Sequence, residues 1–159
     1  MRKFIFILFT SIVLPLWVTA QELPLDITAD TLSADIGDKN AIFEGNVVAK
    51  RGDLTLESNT LRVQQGDADR IERIIASGNI KVTRGEETAT GKEAVYTPAN
   101  QTLVVMGNVR LTQGQDVIEG QRLVYNLAEG TARMDSDTSN GKKPQRIKAV
   151  IGPQKNDSE

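Results

Sequence analysis

The chain has 159 residues, with 19 basic and 21 acidic side chains for a formal net charge of -2, and contains neither Cys nor His. The missing residue types exclude disulfides and remove the commonest general base and transition-metal ligand, which counts against a hydrolase or a zinc site. Basic and acidic residues alternate along the chain rather than gathering in a patch, so nothing points to nucleic acid.

Residues 1–20 follow the order of a secretory signal. Arg2 and Lys3 come first, an apolar run over residues 4–18 follows, and Val18-Thr19-Ala20 supplies small residues before Gln21-Glu22. Cleavage is expected after Ala20. The apolar run is short for a membrane span, which needs about 20 residues, and an uncleaved anchor is the alternative. The expected division is a signal peptide over 1–20, one domain over 21–151 and a flexible tail over 152–159.

A first strand is expected near residues 25–32, closed by the turn Gly37-Asp38-Lys39-Asn40. The rest of the domain repeats. Gly45-Asn46-Val47, Gly78-Asn79-Ile80 and Gly107-Asn108-Val109 recur, each followed seven positions on by Gly52, Gly85 or Gly114. At the same offsets stand Ser58, Gly91 and Gly120, then Leu61 with Val63, Ala94 with Tyr96, and Leu123 with Tyr125. The first half of each copy alternates apolar and polar residues through the leading Gly, as in Leu103, Val105, Gly107, Val109 and Leu111; period two is a half-buried strand. Arg51-Gly52-Asp53, Arg84-Gly85-Glu86 and Gly114-Gln115 read as hairpin turns. The second strand of each copy slips in its alternation, which predicts a bulge near Ser58, Gly91 and Gly120. Gly45, Gly78 and Gly107 leave room where the sheet bends, or where a ligand approaches. Residues 69–75 are ambiguous between helix and strand. Residues 136–144 form a polar loop and 146–151 a last strand.

Repeated hairpins with bent strands predict two facing sheets. The first and last strands would present unpaired backbone, which invites strand addition unless Asp26, Asp30, Arg146 and Lys148 blunt it.

With these residues in view, the chain resembles the OstA-like family of periplasmic lipopolysaccharide-transport proteins. The likeness is carried by the signal, Pro24-Leu25-Asp26-Ile27-Thr28-Ala29-Asp30, Phe43-Glu44-Gly45-Asn46-Val47 and the later Gly-Asn-Val copy, over roughly residues 24–151. The resemblance implies an all-β fold, a semi-open antiparallel β-jelly roll built from repeated hairpins. It implies a periplasmic protein that binds lipopolysaccharide and shields its lipid A acyl chains. Its implied partners are an inner-membrane transport complex component, an outer-membrane translocon of the same β-fold, and further copies of itself in a head-to-tail homo-oligomer. It implies no catalytic residue, metal or cofactor.

The lipid-facing lining is expected to include Leu25 and Ile27 at one edge. Phe43, Val47, Leu56, Val63, Ile80, Val82, Tyr96, Val105, Val109 and Tyr125 would follow along the inward face. Any of these could equally be packed core. Tyr96 and Tyr125 suit a groove mouth, with an apolar body and a polar tip. Lys50, Arg51, Arg84 and Arg110 could meet lipid phosphates, or be solvated charges of turns and outer face. Two other readings stand beside the carrier: a membrane-anchored sister component of the same route, and a structural β-repeat protein that binds no lipid.

Overall fold

A computed structural model describes residues 24–35, 37, 39–67, 70–136 and 146–153. The expected signal and its cleavage point, most of the loop at 136–144 and the end of the tail lie outside the described residues.

Ten strands follow in order: β1 (Asp26–Thr28), β2 (Thr31–Asp35), β3 (Asn40–Arg51), β4 (Leu54–Gln65), β5 (Ile71–Arg84), β6 (Glu87–Thr97), β7 (Thr102–Gln113), β8 (Asp116–Asn126), β9 (Thr131–Asp135) and β10 (Lys148–Val150). Every pairing is antiparallel, and β3 to β8 form an unbroken meander. Two short strands share each outer flank. β1 and β2 lie end to end along β3, and β10 and β9 lie end to end along β8. The sheet does not close, so the all-β, semi-open jelly-roll architecture expected from the sequence is the one observed.

The long strands bend midway because their register slips there. Gly45 and Asn46 oppose the single residue Asn59, and the slip recurs at Gly78-Asn79 and at Gly107-Asn108. At these corners both residues have positive φ, for example 79° at Gly78 and 51° at Asn79. Gly tolerates that backbone freely and Asn better than most residues. A Cβ on Gly78 would also lie 2.8 Å from Nδ2 of Asn59. The sequence-based expectation therefore needs one correction. The extra residue lies on the Gly-Asn strand, and Ser58, Gly91 and Gly120 mark the partner strand opposite it.

The bend folds the sheet back on itself. Arg51, at the end of β3, touches Tyr96, near the far end of β6, with Nη1 donating to the phenol oxygen at 2.6 Å. In a flat sheet those groups would be three strand spacings of about 4.8 Å and most of a strand length apart. Contact requires the two half-sheets to face each other. One wall holds the halves near the Arg51, Arg84 and Gln113 ends, and the other holds the halves near Tyr96 and Tyr125. The two facing sheets are thus halves of one continuous sheet.

Three further details differ from the sequence reading. The first strand is two strands, because Ala29 and Asp30 turn the chain between β1 and β2. The ambiguous stretch is strand from Ile71 onward, as its pairing with β4 demands. β9 went unread because it is short, polar and exposed over its first three residues.

Outer-face rows explain why the sheet is stable on its wet side. Thr55, Thr83, Thr88 and Thr112 stand opposite one another across β4 to β7. One row along, Lys81 pairs Glu57 at 3.1 Å and Arg110 pairs Glu119 at 3.6 Å. Cross-strand pairs of these kinds contribute roughly 0.2–1 kcal/mol each.

Candidate functional site: an apolar trough between two walls

Register and alternation together put apolar residues into continuous rows across the inner face. On one wall the row runs Ile27, Ala49, Leu56, Val82, Ala89, Leu111, Ile118, Ala149. On the other it runs Leu32, Phe43, Leu61, Ala76, Ala94, Val105, Leu123, Met134. A third, beside the second, runs Ala34, Ala41, Val63, Ile74, Tyr96, Leu103, Tyr125, Ala132. Eight strands at about 4.8 Å carry each row roughly 34 Å from edge to edge.

The structure brings all twelve sequence-predicted lining residues to this one interior. Val47, Leu56, Val63, Ile80, Val82, Val105 and Val109 are buried; Leu25, Ile27, Phe43, Tyr96 and Tyr125 are half-buried and pack against them. Leu54, Leu103, Leu111 and Leu123 join them; alternation put Leu103 and Leu111 on an apolar strand face, but none of the four was named as lining.

A gap between the walls lies among Leu54, Val82, Ala89 and Leu111 on one side and Leu103, Val105, Leu123 and Tyr125 on the other, with Arg84 and Glu87 at its rim. Its free space is about 20 Å³, close to that of one water-sized sphere. The two walls lie close together at this place.

The rim is polar and organised. Arg84 Nη1 donates to Tyr125 Oη, with the guanidinium carbon 5.3 Å from the ring centroid. Arg84 Nε donates to Asp53 Oδ2 at 3.1 Å, and Tyr125 Oη donates to Glu87 Oε2 at 3.4 Å. The Asp53 carboxylate holds the guanidinium further toward its charged form; partial desolvation opposes this and the tyrosine oxygen adds to it. Arg51 repeats the arrangement with Tyr96, 5.7 Å from its centroid. Tyr96 and Tyr125 thus have the apolar body and polar tip expected of them. Arg51 and Arg84, read from sequence as turn charges or lipid-phosphate contacts, instead reach across to the opposite wall. Lys50 is exposed, and Arg110 pairs with Glu119 on the outer face. The signal for the rim pairs was present as Arg before the turn Gly in two successive copies. What the sequence did not show was that Arg of one copy meets Tyr of the next.

Among the described residues no three acidic side chains converge as a metal site. No helix among them is long and apolar enough to cross a membrane.

Comparison with known proteins places this geometry. Residues 26–131 match the family described as LptA/(LptD N-terminal domain) LPS transport protein. An uncharacterized protein of Rhizobium meliloti is 32% identical over 91 residues, covering 52% of this chain and 48% of the relative. The chain thus spans about half the length of the curated relative it matches. The fold is similar to the crystal structure of LptH from Pseudomonas aeruginosa, the LptA homologous periplasmic component of the conserved lipopolysaccharide transport device. The TM-score is 0.72 at 22% identity, over 82% of this chain and 96% of that one.

Proposed function

The chain belongs to the LptA/(LptD N-terminal domain) family of lipopolysaccharide transport proteins, and from that premise we propose that it is a periplasmic carrier of lipopolysaccharide. In this reading it shields the acyl chains of lipid A between its walls. It bridges inner and outer membranes by stacking head to tail with copies of itself and with components of the same β-fold.

The single observation that carries the proposal is the continuity of the inner apolar rows from one open edge to the other. A packed core needs no such continuity, whereas a moving chain does. Each CH₂ exposed to water costs about 0.8 kcal/mol, so a dozen-carbon chain carried bare would cost on the order of 10 kcal/mol. Apolar contact is non-directional, so an aliphatic lining shields the chain without fixing it at one place. Both edges also present exposed apolar side chains, Leu32 on β2 and Ile151 just beyond β10, where a neighbouring copy would prolong the rows. In the same reading the signal is removed after Ala20 and the domain runs over 21–151.

One observation favours a second reading. The narrowness of the gap between the walls suits a structural β-repeat protein with a solid core. Photocrosslinking in living cells separates the two. A photoreactive residue at Phe43 or Tyr96 is expected to form adducts with lipopolysaccharide. Adducts with protein only, or none, would refute the carrier.

A further inference from the structure

We propose that the Arg84–Tyr125 and Arg51–Tyr96 pairs are latches that hold the trough shut, making Arg84 and Tyr125 the residues that set access for an acyl chain. This rests on the carrier reading above. Arg84 lies on β5 in one wall and Tyr125 on β8 in the other, and they meet directly at the rim of the gap. The space beneath is about that of one water-sized sphere, so admitting a chain means separating the walls. Separation breaks this pair first, because it spans them at the mouth.

The alternative role for Arg84 is an anchor for the anionic group of an amphiphile. The surrounding charges argue against it. Asp53 and Glu87 flank the rim, one bonded to Arg84 and the other to Tyr125. A single cation between two carboxylates leaves the mouth negative, which repels phosphate. The same geometry makes release easy. When the walls part, Arg84 keeps Asp53, which is on its own wall, and gives up only the tyrosine. Two hydrogen bonds, Arg84 to Tyr125 and Tyr125 to Glu87, and one cation–π interaction oppose opening by a factor of roughly ten to a few hundred. That suffices to keep the trough closed to water and is small beside the burial of a chain. The two latches also stand at successive repeats, Arg51 and Arg84 each six positions after a corner Gly, so the trough can open by sections.

The test uses the purified chain and the fluorescent apolar probe N-phenylnaphthylamine. Dodecyl phosphate and dodecylphosphocholine serve as competitors below their micelle-forming concentrations. Arg84→Met is expected to raise affinity for the probe and for dodecylphosphocholine by roughly five- to thirtyfold, and for dodecyl phosphate by less, because Asp53 and Glu87 are left without their cation. Tyr125→Phe removes one oxygen and with it both hydrogen bonds across the mouth, keeps the ring, and is expected to raise affinity by roughly five- to a hundredfold. It carries the test should Arg84→Met fail to fold. Unchanged affinity in a folded variant overturns the latch. A loss confined to dodecyl phosphate overturns it in favour of an anion anchor. If neither wild type nor variants take up the probe, the carrier reading falls and the latch with it.

Discussion

A methyl group on Gly91 would lie 2.6 Å from Cγ1 of Val105 on the adjacent strand, and 3.0 Å from the carbonyl oxygen of Met106. Gly91 does not have positive φ, so the demand at this position is space alone. Val105 is 1% exposed and has nowhere to move. Gly91→Ala is therefore expected to destabilise the domain by about 1–3 kcal/mol, as overpacking does. Gly120→Ala should be milder, because its added methyl meets Cγ and Sδ of the unbranched, flexible Met134 side chain. Urea denaturation midpoints decide this, and equal midpoints for Gly91→Ala and wild type would contradict the packing.

Ser58 holds the corresponding position in the first repeat, opposite Val47. Its side chain is buried, and no described residue bonds its Oγ. A buried hydroxyl left unpaired costs about 1–3 kcal/mol. Ser58→Ala removes it and keeps the Cβ, so the denaturation midpoint is expected to rise by the equivalent of about 1 kcal/mol. A lower midpoint would mean that the hydroxyl has a partner in solution.

Ile80 and Val105 are each 1% exposed, so a charge placed there acts on folding before it acts on lipid. Val105→Asp is expected to cost more than about 3 kcal/mol through an unpaired buried charge. It would abolish lipid capture by unfolding. Leu111 is half-buried on the wall beneath the Arg84–Tyr125 rim and discriminates better. Leu111→Asn is expected to weaken binding of an apolar probe by roughly ten- to a hundredfold, from about 1.5–3 kcal/mol of lost leucine burial, while the far-ultraviolet circular dichroism stays that of the wild type. Undiminished binding would remove this stretch of wall from the path.

How much of this was legible in the sequence follows from which interactions are local. The rows of Val82, Leu111 and Val105 were readable because strand alternation is local and the Gly-Asn spacing fixed where each strand begins. The corner at Gly78-Asn79 was located correctly, but the side carrying the extra residue was not, since the slip belongs to a pair of strands and each strand shows only half of it. Tyr96 and Tyr125 were named for their amphipathic chemistry, and each lies half-buried with its hydroxyl on an arginine. Their partners Arg51 and Arg84 were misjudged because each lies three strands away, and only folding of the sheet brings them together. Ala94 was read as a repeat position but not as lining, because alanine fits an inner or an outer face equally well.

The edges give the last prediction. Leu32 begins an inner row on β2 and is 59% exposed, and Ile151, just beyond β10, is 72% exposed. Each lies beside backbone that no described strand pairs, a combination that favours strand addition by another chain. Leu32→Lys is expected to weaken self-association by roughly ten- to a hundredfold, from about 1.5–3 kcal/mol of leucine burial forgone at the junction. Sedimentation velocity across a concentration series measures it. Deleting residues 146–159 should act in the same direction, but it also strips β10 from β8 and so perturbs the fold. The point substitution is the stronger test because Leu32 is already exposed in the single chain. Charging it changes little there, and a sedimentation profile unmoved by Leu32→Lys would show that copies do not meet through this edge.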